Sequence, residues 1–195
     1  MKKLLSFFSY ALIFSLGFGC VHRHEVAVDP KVFVKPSTIG NGKTIYLKVI
    51  DSRPNNDIYK REGNFKTNKV RIVADSSLED SITKSLQRGF QDLGFRVKTR
   101  AEPGSSSLKI AIIETKFSMF ANTSGFHQQM KAGFRVAIKA GSQKHTQTYR
   151  DAQKVSQKVP FGRFLNERLI NLAISQALQK IFSDPKLLNI LANQS

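Results

Sequence analysis

The chain has 195 residues, with 31 Lys or Arg against 14 Asp or Glu, a formal charge of +17 and an isoelectric point near 10.2. Its length suits one compact domain, and its single cysteine excludes an intramolecular disulfide. Four histidines, with no G-x-S-x-G, no H-E-x-x-H and no phosphate loop, point away from catalysis, and neither a cofactor nor a metal is expected.

Lys2 and Lys3 precede an uncharged, mostly apolar run from Leu4 to Gly19. A positive start, an apolar stretch and small residues before a cut site describe a signal peptide over 1–19. The run is shorter than the roughly 20 residues of a spanning helix, so a retained anchor helix is the weaker alternative. Cys20 then closes "LGFGC", which resembles the lipobox of bacterial lipoproteins. Gly19 fits the place before the cysteine, while Phe18 stands where Ala or Ser is usual and Gly17 fills the slot of a leucine found one place upstream at Leu16. The resemblance implies cleavage before Cys20 and a diacylglyceryl group on its sulfur; a free buried thiol is the alternative. Two or more acyl chains anchor a protein stably without a transmembrane helix. Val21 stands where an Asp would retain such a protein at the inner membrane, so the resemblance implies the periplasmic side of the outer membrane.

The leader holds two of the basic residues and no acidic ones, leaving +15 on the mature chain. In the cytoplasm such a charge would suggest nucleic acid. Export removes that partner and leaves anionic lipid, lipopolysaccharide phosphates or an acidic glycan such as peptidoglycan; a merely solvated basic surface is the plain alternative. Residues 20–43 read as the lipidated cysteine and a tether, with Pro30, Pro36, Gly40 and Gly42 around a short apolar patch at Val32–Val34, a segment that either adds an edge strand or spaces the domain from the membrane. His22 and His24 on that tether lack a third ligand and a supporting shell for a metal.

Residues 44–195 read as a single periplasmic domain. "TIYLKVI" (44–50) and "KVRIV" (69–73) alternate with the period of strands. Ser76 to Glu79 form a capping box that opens a helix with Leu78, Ile82, Leu86, Phe90 and Leu93 on one stripe, ended by Gly94. "FRVKTR" (95–100), "LKIAIIETKFSMF" (108–120), "FRVAIKA" (134–140) and a hydrophilic stretch over roughly 144–158 continue as strands, with a glycine-containing loop between the second and third. A last helix over about 163–183 carries Ile170, Ile174, Ala177, Leu178, Ile181 and Phe182, is broken at Asp184-Pro185, and gives way to a short helical tail. The order β-β-α-β-β-β-β-α predicts an α+β fold: a mostly antiparallel sheet with two amphipathic helices on one face.

If the apolar strand positions face the helices, the other face carries Tyr46, Lys48, Lys69, Arg71, Arg96, Lys98, Lys109, Arg135 and Lys139. An open sheet face should be polar, yet nothing in strand physics requires one sign. These cations are the candidate anion-binding residues. On the last helix, Leu165, Leu169 and Leu172 form a second apolar line opposite the first. Either the chain covers them, through Val32–Val34 or through Leu187, Leu188 and Ile190, or they are a docking site for a partner. Glu114 has no second carboxylate placed to pair with it for acid–base chemistry.

"LKVIDSRPNNDIYKREG" (47–63) and "NERLINLAISQALQKIFSDPKLLNILA" (166–192) resemble the opening and closing motifs of the YajG-type family of outer-membrane lipoproteins. In its own right, Asp51-Ser52-Arg53-Pro54 reads as a turn past a strand end, held by an Asp51–Arg53 pair, or as a loop that contacts a partner. The function that follows is a lipid-anchored, non-catalytic periplasmic protein that binds an anionic envelope component through its basic sheet face. The competing reading is an accessory subunit of a larger envelope assembly or transport complex, docked through a hydrophobic surface. Binding that fades with salt favours the first; a pull-down that survives salt favours the second.

Overall fold

The computed structural model describes residues 21–55, 57–62, 69–100, 106–158 and 162–193. The elements are β1 (Val21–Val26), β2 (Thr44–Asp51), β3 (Tyr59–Glu62), β4 (Lys69–Ala74), α1 (Leu78–Asp92), β5 (Arg96–Lys98), β6 (Ser106–Asn122), β7 (Gly125–Ala140), β8 (Gln143–Gln157), α2 (Arg163–Phe182) and α3 (Pro185–Ala192). A five-stranded sheet runs β5-β2-β6-β7-β8. Its long strands β6, β7 and β8 are antiparallel, and β2 joins β6 and β5 in parallel. The α+β arrangement read from the sequence is the one observed, with the helices gathered on one side of this sheet around a single core.

Alternation decides which face is which. Ile45 and Leu47 on β2, Leu108, Ile110 and Ile112 on β6, and Met130, Phe134, Val136 and Ile138 on β7 are buried toward the helices. A β-bulge between Ile112 and Glu114 shifts the phase of β6, so beyond it the odd residues Thr115 and Phe117 face inward. On α1, Ile82, Leu86 and Phe90 fill the stripe, and Ile170, Ile174, Ala177 and Ile181 do so on α2. Gly94 follows α1 with φ of 82°, the left-handed conformation a helix-ending glycine supplies.

Several local expectations are corrected. The N-cap of α1 is Ser77, whose hydroxyl accepts from the Asp80 amide; Ser76 lies one place outside, and the Glu79 carboxylate is taken by the Asp51 amide. Residues 125–133, expected as loop, belong to β7, which begins right after a turn at Thr123-Ser124. β4 does not join the large sheet. It is the centre of a second, three-stranded sheet, parallel to β1 and antiparallel to β3.

The segment read as a tether is packed onto the domain from Val21 onward. After β1, residues 27–33 run as an extended strap along α2. Glu167 accepts from the Ala27 amide at 3.1 Å, Asn171 from Asp29 at 2.8 Å, Ser175 from Lys31 at 2.9 Å and Gln179 from Phe33 at 3.0 Å. Two extended residues advance about 6.6 Å and four helical residues about 6 Å, so every second strap residue meets every fourth residue of the helix. Asn171 and Gln179 also donate back, to the carbonyls of Ala27 and Phe33. The carbonyl of Pro30, pointing the other way, accepts from Ser85 of α1 at 2.5 Å.

Candidate functional site

The side of the large sheet that faces away from the helices is the basic face. Register places its residues in rows. Lys98 stands beside Tyr46, and Ser107 leads on to Lys139 and Lys144; Lys48, Lys109, Ala137 and Thr146 form the next row. Ile50, Ala111, Arg135 and Thr148 follow, and past the bulge come Lys116 with Lys131, then Gln129 with Lys154. Lys48, Arg96, Lys98, Lys109, Lys116, Lys131, Arg135, Lys139, Lys144, Arg150 and Lys154 are all exposed.

Lys48 and Lys109, Lys116 and Lys131, and Lys139 and Lys144 are directly opposite one another across strands. Like charges so placed destabilise a sheet, each pair by a fraction of a kcal/mol. Glu114 is the carboxylate among the described residues of this face. Its Oε2 lies 3.7 Å from Arg150 Nε, and both side chains close over Gly133, the position a Cβ would crowd at 3.3–3.4 Å. That pair offsets little of the excess positive charge around it, and salt screens the rest only beyond about 8–10 Å.

Of the residues expected on this face, Lys48, Arg96, Lys98, Lys109, Arg135 and Lys139 are brought together, with Tyr46 half-buried among them. Lys69 and Arg71 are not. They lie on β4 in the small sheet, where Arg71 binds Asp57 through Nη2 at 2.6 Å and Nε at 3.1 Å. Lys116, Lys131, Lys144, Arg150 and Lys154 are additions the sequence reading missed. The signal was present: each falls on the phase opposite Phe117, Met130 or Tyr149, the buried residues of its strand.

The Asp51–Arg53 turn is closed upon itself. Asp51 Oδ2 meets Arg53 Nη2 at 2.5 Å, Oδ1 accepts from Nε at 2.9 Å and from the Arg53 amide at 3.1 Å, and Nη1 reaches the Thr115 hydroxyl. Burial works against the charged Asp51, but the Arg53 bonds outweigh it and hold the carboxyl below its usual range. The Arg53 side chain is 5% exposed and Asp51 17%, whereas Pro54 is exposed. With Glu79 on the Asp51 amide, this loop fastens β2 to α1 and β6.

The three leucines of α2 part company. Leu169 is buried, Leu165 half-buried and Leu172 42% exposed. Val32, Val34, Leu187, Leu188 and Ile190 all pack into or against the same core. Near them Phe33 and Phe164 are 84% and 76% exposed. Cys20 and the leader lie outside the described residues. Among the described residues, no three His, Cys, Asp or Glu side chains gather where they could hold a metal, and no helix is long and apolar enough to cross a membrane.

Residues 30–192 match the model of a family described as an uncharacterized lipoprotein. No curated protein matches the chain. A crystal structure of an uncharacterized protein aligns with it at 10% identity and a TM-score of 0.49, covering 80% of this chain and 97% of the other.

Proposed function

Because that match spans most of its length, the chain belongs to this family of lipoproteins, the YajG type, and we propose that it is a non-catalytic protein anchored through Cys20 on the periplasmic side of the outer membrane, where its open sheet face binds an anionic envelope component. One observation carries the reading. Lysines stand directly opposite lysines on an uncovered face with a single carboxylate, Glu114, among its described residues. A sheet gains nothing by itself from that arrangement, and an anion laid over it relieves the repulsion at every pair.

The test replaces Lys109 and Lys139 with Glu together. Exposed substitutions of this kind change stability by about 0.5 kcal/mol or less, so the double variant should melt near wild type. It should lose most of its salt-sensitive binding to anionic vesicles, lipopolysaccharide or peptidoglycan. Wild-type binding at low salt in the double variant would reduce the face to a solvated surface. For the anchor, a clickable fatty acid should label the wild type and not Cys20→Ala; an unlabelled wild type would remove the lipid from the reading.

The second reading, an accessory subunit docked on an envelope complex, draws on Phe164 and Leu172 at the exposed side of α2. A cross-linked partner that is lost with Phe164→Asp and retained at high salt would favour it.

A further inference from the structure

We infer that the anion met by the basic face is the headgroup plane of the bilayer that holds the anchor, so that the domain lies on anionic glycerophospholipid through this face. The inference rests on the proposed function and narrows it to one occupant.

Three observations lead there. First, the anchor has no slack. β1 begins at Val21, the residue after Cys20, and the strap that follows is bonded to α2 as far as Phe33. A residue reaches about 3.5 Å at most, so the lipid is attached to the folded domain itself and not to a long spacer.

Second, the anchor leaves within reach of the basic face. Val21 is in register with Lys69, and Lys69 with Glu62 at the end of β3. Just before the other end of β3, the carbonyl of Ile58 accepts from the Phe117 amide of β6 at 3.2 Å. A four-residue strand is about 13 Å long and two strand spacings about 10 Å. Val21 therefore lies within roughly 20 Å of the stretch of β6 where Lys116 faces Lys131.

Third, the cations are spread in two dimensions. They recur across neighbouring strands about 4.8 Å apart and again along the strands, as at Lys131, Arg135 and Lys139 on β7 and Lys144, Arg150 and Lys154 on β8. A linear polyanion needs one row or a groove. A bilayer presents charge in a plane, and cations spread over several strands meet it on a broad front.

The experiment uses the full lipidated protein in vesicles of phosphatidylcholine, with or without phosphatidylglycerol. With Cys20 acylated, one introduced thiol takes an environment-sensitive dye: Thr146→Cys on the basic face, or Gln176→Cys on the exposed side of α2 as the control. The dye at 146 should shift to the blue and be quenched by brominated lipid only when phosphatidylglycerol is present. High salt, or Lys116→Glu with Lys131→Glu, should abolish both effects, and the dye at 176 should report water throughout. If the dye at 146 is equally exposed on both kinds of vesicle, the bilayer is not the occupant. In that event, salt-sensitive retention of polyphosphate or peptidoglycan by the same protein would leave an anion-binding face with a different ligand, and no retention would end both readings.

Discussion

The ring of Phe182 occupies the space that a side chain on Gly89 would need: a Cβ placed on Gly89 would lie 2.4 Å from its Cζ. The same ring packs against Phe90 at 4.8 Å between centroids, so α2 and α1 touch through an aromatic seated on a glycine. Gly89→Ala should cost about 1–3 kcal/mol, as overpacking does. Adding Phe182→Leu should restore part of it in a urea melt. A single Gly89→Ala as stable as wild type would mean the helices separate without cost.

Arg53→Ala removes the partner of a carboxylate that is mostly out of water. Breaking a buried pair from one side typically costs about 3–5 kcal/mol; with Asp51 still 17% exposed, the lower end is expected. Arg53→Lys should recover only part of it, since an ammonium cannot reproduce the fork that meets Asp51 and Thr115 together. Binding to anionic vesicles should be unchanged per folded molecule. A stable Arg53→Ala that loses a cross-linked partner would make the turn a contact loop after all.

The Tyr149 hydroxyl donates to Asp184 at 2.5 Å, and the Lys186 and Leu187 amides complete the cap of α3. Burial opposes the charge on Asp184, yet these bonds prevail and its carboxyl titrates below the usual value; burial and the Asp184 charge push the Tyr149 hydroxyl upward. A depressed carboxylate contributes stability above its unfolded pKa, near 3.9, and loses it as pH falls through the folded one. Asp184→Asn should therefore flatten the stability profile below about pH 4. Tyr149→Phe should cost about 1 kcal/mol at neutral pH, a modest loss because Asp184 remains in contact with water. An acid limb as steep in Asp184→Asn as in wild type would assign it to other groups.

Leu169→Asp and Leu172→Asp should behave as opposites. The first places a charge in the core and should lower stability by several kcal/mol. The second adds one at a 42% exposed site and should stay within about 0.5 kcal/mol. Thermal melts of both variants decide it, and equal losses would mean that Leu172 has a cover in solution.

Alternation of apolar residues was enough to identify β2, β4, β5, most of β6, the second half of β7 and both long helices, because there core and solvent sides differ in chemistry. It failed from Gly125 to Gly133, where the inward positions of β7 begin with a polar one, Gln128, bonded to Asn166 of α2 at 2.6 Å inside the core, before Met130 and Ala132. A buried amide pair looks like loop until its partner is known. Alternation also assigns a face within a strand and not a sheet, which is why Lys69 and Arg71 were grouped with Lys48 although β4 pairs with β1. The short strand β3 owes its place to β4 and was not read at all. On the basic face, Lys144, Arg150 and Lys154 lie on β8, hydrophilic on both sides, where only Tyr149 marks the inward phase; Lys116 follows the bulge that shifts the phase of β6, and Lys131 lies in the stretch expected as loop.

The strap has a consequence for how the segment can vary. Its odd residues, Ala27 to Phe33, offer amides to α2, while Pro30, which has no N–H, sits on the other parity and gives its carbonyl to Ser85. Removing one residue would exchange the two edges, turning a proline toward a row of acceptors and leaving Asn171 or Ser175 without a donor. The exposed letters Asp29, Lys31 and Phe33 can therefore change freely so long as an amide remains at each odd place, while Val28 is held apolar by the core and the number of letters cannot change. Among relatives this stretch should align without gaps even where its exposed residues have nothing in common, a constraint of length that conservation of those residues would never reveal.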